Sequence, residues 1–260
     1  MYGKEAVVRS FSSTAGPSAP RNSNIRSGPS ARDMMLLLSI TVSRRITESV
    51  YGLRISRLSK DLYELLTELD LNNVAVLGHS MGSSVIWCYI DLFGPERLSK
   101  IILVDQMPLV TSDPHWTQPE LEDSGANLTA QQVFDIVAAL RSKEAEQVTR
   151  QVIDGHVTKH ATRQMREWVV QCNLKMPRDF AATLLYNHAH VDWRDFIPRI
   201  NLPTLIISGR ASAIPWKSQE WIHRQIKDSQ FEVFESSACL PPQLWWRELP
   251  LAERTGLLSS

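Results

Sequence analysis

Residues 72–90 read NNVAVLGHSMGSSVIWCYI, and this stretch decides the fold. Val74-Ala75-Val76-Leu77 is a short continuous apolar run after two asparagines, the pattern of a parallel strand covered on both faces. Gly78-His79-Ser80-Met81-Gly82 follows at once. Ser83, Ser84 and the apolar run from Val85 to Phe93 then read as a helix that opens on small residues. Gly94-Pro95 stops it, with glycine just past the end and proline beyond. A Gly-x-Ser-x-Gly segment between a buried strand and a helix is the setting in which a serine sits on a strained turn with its hydroxyl lifted clear of the sheet. The flanking positions must be small because strand and helix approach each other closely there. The N–H of Met81, at the helix start, can then donate to an oxyanion with the helix dipole behind it. Ser80 and Met81 are the first candidate site residues.

Working outward, Leu53, Ile55, Leu58, Leu62, Leu65, Leu66 and Leu69 recur at three-and-four spacing, which predicts an amphipathic helix before the strand. After the central helix, Ile101-Ile102-Leu103-Val104 is a second buried strand ending in Asp105. Residues 108–127, rich in Pro, Ser, Asp and Asn, read as a loop. Thr129 and Gln132 form a capping box ahead of Val133, Phe134, Ile136, Val137 and Leu140. Helices are predicted over about 143–153, about 159–175 and about 178–187, the last with Pro177 at its start, in a block that shows no strand signal. Thr204 to Ile207 is a third strand, then comes a helix holding Trp221, Ile222 and Ile226, and then a fourth strand from Phe231 to Phe234. Strands alternating with helices imply an α/β fold with a parallel sheet and right-handed crossovers. The helical insertion between the second and third strands is expected to act as a lid, with Trp116, Phe134, Trp168 and Tyr186 as candidate pocket walls.

Composition bounds the function classes. The chain has 260 residues, 43% hydrophobic and 22% charged, which fits one sizeable globular domain. Lys plus Arg and Asp plus Glu are 28 each, so no global basic field exists to attract nucleic acid or an anionic membrane. Cys88, Cys172 and Cys239 are too few and scattered for a disulfide framework or zinc site, and a cytoplasmic setting is the default. The apolar run from Met34 to Val42 is too short for a membrane span of about 20 residues. Residues 1–33 carry seven Ser, four Arg and one Lys but only Glu5 and Asp33 as acids. That bias is similar to a mitochondrial transit peptide, but without an amphipathic stripe an unstructured leader is the better expectation.

Two segments carry a family resemblance. NNVAVLGHSMGSSVIWCYIDLFGPERLSKIILVDQMP resembles the centre of the α/β-hydrolase fold, near its esterases and non-haem haloperoxidase-like members. NLPTLIISGRASAIPWKSQEWIHRQIKDSQFEVFE resembles its later portion. The resemblance covers about residues 51–235 and implies a hydrolase core at 51–107 and 196–235, a helical cap at 108–195, a leader at 1–50 and an irregular tail at 236–260. It implies Ser80 as nucleophile, a small acyl substrate, and neither metal nor organic cofactor. A serine at this position favours ester or related acyl transfer, since epoxide and haloalkane hydrolases of this family usually carry aspartate there.

The same resemblance exposes departures. The family supplies its histidine after the last strand, yet none of the seven histidines (His79, His115, His156, His160, His188, His190 and His223) lies beyond Phe234. The expected place, 236–242, holds no imidazole, and the base stays unassigned, with His188, His190 and His223 as the residues that could reach Ser80. Where the family commonly has its acid, just past a glycine after the third of these strands, the sequence has Ser212. Asp105, at the end of the preceding strand, is the alternative acid, and a loop-capping carboxylate is its structural reading. Residues 1–50 offer no strand–turn–strand series, so a truncated core is expected, with the edge of the strand at Val74 bare. Both ends depart while the middle fits, as a mis-spliced or frame-shifted reading would produce; a catalytically impaired or non-catalytic homologue is the expected consequence.

Overall fold

The computed structural model describes residues 52–157 and 161–235, together with the backbone of residues 35–38. Its centre is a five-stranded sheet built from β1 (Met35–Leu38), β2 (Val74–His79), β3 (Leu98–Val104), β6 (Thr204–Gly209) and β7 (Ser229–Phe234), in that spatial order. Every neighbouring pair is parallel, as the alternation of strands and helices predicts. β6 is buried at every position, which is why its sequence is a continuous apolar run rather than an alternating one.

Helices α1 (Ile55–Glu68), α2 (Met81–Phe93) and α8 (Trp216–Gln225) connect or precede these strands and share one core with the sheet. In α1, Ile55, Leu62 and Leu66 of the predicted stripe are buried and Leu58 and Leu65 partly so, Ser59 is buried with them, and Leu69, just past the helix, is exposed. The Ser59 hydroxyl within that stripe donates to the Ile55 or the Val85 carbonyl, each at 2.9 Å, so it enters the core without an orphaned donor. In α2 nine consecutive residues from Gly82 to Ile90 are buried, and Gly94 ends the helix at φ 79°, a conformation glycine adopts freely.

The insertion between β3 and β6 is helical: α3 (Gln118–Ser124), α4 (Ala130–Leu140), α5 (Ala145–His156), α6 (Arg163–Leu174) and α7 (Arg178–Ala189). The Thr129–Gln132 capping box starts α4, each partner's side chain bonding the other's backbone N–H. Val133, Val137, Leu140, Ala182 and Ala189 pack α4 against α7 over Met107, Val110 and Ile214. The α5–α6 hairpin has a far smaller core of Ile153, Val157 and Val170. On the inner face of α7, Phe180 and Leu184 join the main core, and Asn187 Oδ1 accepts the Ile55 N–H at 2.8 Å, tying the insertion to the start of α1.

Two sequence expectations need correction. Residues 35–38 are a strand: Met35 to Leu38 pair with Ala75 to Gly78, so the edge of β2 is covered and not bare. A short apolar run carries no period that separates strand from buried helix, and here the partner strand decides. The segment 108–127 is not only loop. It holds α3, with a Thr117–Glu120 capping box, and a two-residue strand β4 (Thr111–Ser112) that pairs in parallel with β5 (Leu128–Thr129). Such short polar elements lack hydrophobic periodicity and are set by caps and local pairing. The tail expectations, including Cys239 and the 236–242 segment, lie outside the described residues, as does His160.

Candidate active site

The sheet brings two unusual backbone positions side by side. His79 pairs with Val104 at the ends of β2 and β3, and one step further on lie Ser80 and Asp105. The Ser80 N–H donates to the Val104 carbonyl at 2.8 Å, and the Asp105 N–H donates to the Ile207 carbonyl at 2.9 Å. Both residues have positive φ, 52° at Ser80 and 51° at Asp105, which non-glycine residues seldom adopt. Strand spacing of about 4.8 Å therefore separates their backbones at the carboxyl end of the sheet.

Ser80 is held by close packing of backbone. With φ 52° and ψ −127° it has the dihedral angles of the first central residue of a type II′ turn, a glycine-favouring conformation. A Cβ placed on Gly78 would stand 2.6 Å from Gly82 C, Gly82 O and Ser83 N, so the first strand residue of the motif must be glycine for the helix to fold back over it. Ser83, fully buried, donates its hydroxyl to the Gly78 carbonyl at 2.9 Å, and its N–H reaches the Ser80 carbonyl at 2.8 Å. The Ser80 side chain makes no capping bond and leaves its hydroxyl uncommitted to the helix. Met81 is the first helical residue, and its N–H has no acceptor within the helix.

Asp105 is held by side chains instead. It is fully buried; Ser212 Oγ donates to its Oδ2 at 2.7 Å and Gln219 Nε2 donates to its Oδ1 at 3.1 Å. Ser212 thus occupies the place where the resemblance expects an acid, and its hydroxyl reaches back to the carboxylate of the neighbouring strand. Gln219 gives no sequence signal of its own, being one polar residue in a polar helix.

The histidines separate into distinct environments. His79, half-buried next to Ser80, is pulled down to about 4 by desolvation, with the His156 imidazole adding to the shift. His188, 7% exposed on α7, is pulled down to about 4 by burial, and its Nδ1 has no hydrogen-bond partner among the described residues. His190 is tied by Nδ1 to the Tyr186 carbonyl at 2.8 Å, and His223 by Nδ1 to Ser229 Oγ at 2.8 Å while stacking on Phe231. His115 is exposed beside Asp113. A groove of about 480 Å³ is lined by Leu109, Thr111, Asp113, Trp116, His190 and Asp192, and Ser80 is not among its lining residues. Of the four expected wall aromatics only Trp116 lines it. Phe134 and Tyr186 meet as a tilted ring pair 5.6 Å apart at the surface, and Trp168 is 49% exposed. Among the described residues no cluster of three or more His, Cys, Asp or Glu side chains could hold a metal ion, and no helix is long and apolar enough to cross a membrane.

A parallel sheet with a helix-capped serine turn at its carboxyl edge and a helical insertion after β3 defines an α/β hydrolase fold. Comparison with known proteins agrees, and the chain belongs to the alpha/beta hydrolase fold family, whose model matches residues 27–238. A Synechocystis protein named for non-heme chloroperoxidase is 30% identical over 193 residues, covering 66% of this chain and 62% of the relative. The karrikin insensitive 2 receptor IA of Petunia hybrida is 26% identical, covering 70% of this chain and 63% of the receptor. The chain therefore spans less than two thirds of the length of these curated relatives. The esterase EaEST from Exiguobacterium antarcticum superposes with a TM-score of 0.66 at 22% identity, covering 81% of this chain and 73% of the esterase.

Proposed function

We propose that this chain is an acyl-transfer centre of serine-hydrolase type in which Ser80 attacks the carbonyl of a small ester or related acyl substrate. The Ser80 oxygen forms the new bond to the acyl carbon, the alcohol leaves, and the Met81 N–H binds the oxyanion on the way. Asp105 is the acid of the site. The observation that carries this reading is the type II′ conformation of Ser80 between β2 and α2, backed by the Gly78–Gly82 approach. Strain of that kind persists where the surroundings over-determine it, and active sites are where it collects.

The serine proton needs an acceptor, and residues 236–242, where the resemblance expects a histidine, hold none. The reading is therefore a base-deficient centre that takes up an acyl or phosphonyl group slowly and turns over poorly. Loss of the base lowers turnover by about 10⁶-fold in the serine protease subtilisin. Kinship to a protein named a receptor, together with the absent imidazole, favours a second reading, ligand binding without turnover. A fluorophosphonate probe separates the two. Slow labelling of the wild type that disappears in Ser80→Ala, and that accelerates with added imidazole, supports the acyl-transfer centre. Equal labelling of wild type and Ser80→Ala refutes it.

A further inference from the structure

The Asp105 carboxylate is served from two distant points of the chain, and the geometry of each donor is itself fixed. Ser212 Oγ accepts the Ile214 N–H at 3.1 Å, which leaves its proton free to point at Asp105 Oδ2. The Ser212 N–H bonds the Gly209 carbonyl at 3.1 Å, anchoring the turn that carries it to the end of β6. Gln219 is fully buried in α8, and its Nε2 faces Asp105 Oδ1 while its Oε1 has no hydrogen-bond partner among the described residues. An apolar residue of the same size would sit in that core without an orphaned acceptor. The amide is thus kept at a cost, and its one bond goes to the carboxylate.

We propose that Ser212 and Gln219 are positioning residues for Asp105. The hydroxyl and the amide hold the carboxylate in one rotamer, so that an imidazole entering beside Ser80 is bound and oriented by it. The proposal rests on the acyl-transfer reading above and goes beyond it by assigning roles to two residues remote in sequence from the nucleophile. It also explains how the acid can stand on β3 while the family's usual place for it holds a serine: the hydroxyl at that place braces the relocated carboxylate.

The test follows fluorophosphonate labelling of Ser80 in the full chain against imidazole concentration. In that reaction the Ser80 oxygen bonds to phosphorus, the phosphorus–fluorine bond breaks, fluoride leaves and the hydroxyl proton passes to imidazole. The wild type is expected to saturate. Ser212→Ala and Gln219→Met are each expected to raise the half-saturating imidazole concentration about tenfold, the effect of losing one hydrogen bond to a charged group, while the rate at saturation changes much less. Ser212→Thr, which keeps a hydroxyl, recovers most of the loss. A purely structural role would lower the melting temperature without this split, and melts of each variant report that separately. If Gln219→Met does not fold, the Ser212 pair decides. A wild type whose Ser80 labelling ignores imidazole, or an Asp105→Asn variant that saturates like the wild type, overturns the positioning role, whereas the acyl-transfer reading itself falls only if Ser80→Ala labels like the wild type. Loss of saturation in Asp105→Asn, with Ser212→Ala and Gln219→Met behaving like the wild type, overturns the positioning role alone.

Discussion

Ser80 and Asp105 sit one strand apart with nearly the same φ, yet the molecule holds them by opposite means. Around Ser80 the restraint is backbone against backbone: Gly78 against Gly82 and Ser83, with no room for even a methyl group. Around Asp105 the restraint comes from side chains, with hydrogen bonds that arrive from the turn after β6 and from α8. A position fixed by backbone contact depends on what is absent from its neighbours. A position fixed by side chains depends on what distant residues carry. The first kind of site fails when anything is added nearby, and the second when something remote is removed.

The largest effect should come from adding volume to the first kind. Gly78→Val would drive its branched side chain into the first turn of α2, where the clash is with backbone rather than with a flexible side chain. Overpacking of this sort destabilises by about 3 kcal/mol or more when backbone must move. Denaturant titration should show that loss, and Ser80 labelling should vanish even in the fraction that folds. A Gly78→Val protein with wild-type stability would mean that the strand–helix approach is looser than described.

Acid offers a second test, because the two positions differ in what titrates nearby. Two of the groups that hold Asp105 are a hydroxyl and an amide, neither of which titrates between pH 7 and 4. His79 adjoins Ser80, and His188 lies next to Asn187, which holds the start of α1. Each of these histidines is depressed from 6.5 to about 4 in the folded state. The unfolded chain therefore binds more protons than the native one in that interval, and stability falls as pH drops from about 6.5 towards 4. Above the interval the stability is fully present, and below it the loss is complete. For the buried His188 the depression corresponds to about 3 kcal/mol at most. Denaturation of wild type and His188→Leu at pH 7 and pH 4.5 checks this, since the variant should lose the part of the pH dependence that His188 supplies. An unchanged slope would mean that His188 is solvated in the native state.

How far these two positions can be read from sequence follows the same division. The Ser80 turn is legible because its restraints are local: Gly78, Gly82, Ser83 and the flanking apolar runs lie within a few residues, and spacing alone announces them. The parallel core is legible for a similar reason, since Val74–Leu77, Ile101–Val104 and Thr204–Ile207 are continuous apolar runs bounded by turns. The Asp105 cradle is legible only in part. Asp105 at a strand end is a candidate, and Ser212 stands where an acid is expected, but the bond between them spans 107 residues of sequence. Gln219 is invisible, because an amide in a polar helix looks the same whether it faces water or a buried carboxylate. β1 is hidden likewise: Met35–Leu38 becomes a strand through its pairing with β2, and nothing within those four residues requires it.

The smallest effect is also the one that separates the two positions most cleanly, because it applies one substitution to both. Ser80→Gly removes a side chain that makes no capping bond and gives the type II′ dihedral angles the residue they favour. Relief of the positive φ should stabilise the fold by about 1 kcal/mol, less a few tenths for the greater freedom of the unfolded chain. Asp105→Gly relieves a similar φ, but it leaves the Ser212 hydroxyl and the buried Gln219 amide without their acceptor. Two orphaned donors at about 1–3 kcal/mol each outweigh the relief, so the net change should be destabilising by about 2 kcal/mol. Paired urea titrations of the two variants should therefore move in opposite directions from the wild type. Movement in the same direction would show that the hydrogen bonds to Asp105 add nothing to stability, and that both positive-φ residues are held by backbone alone.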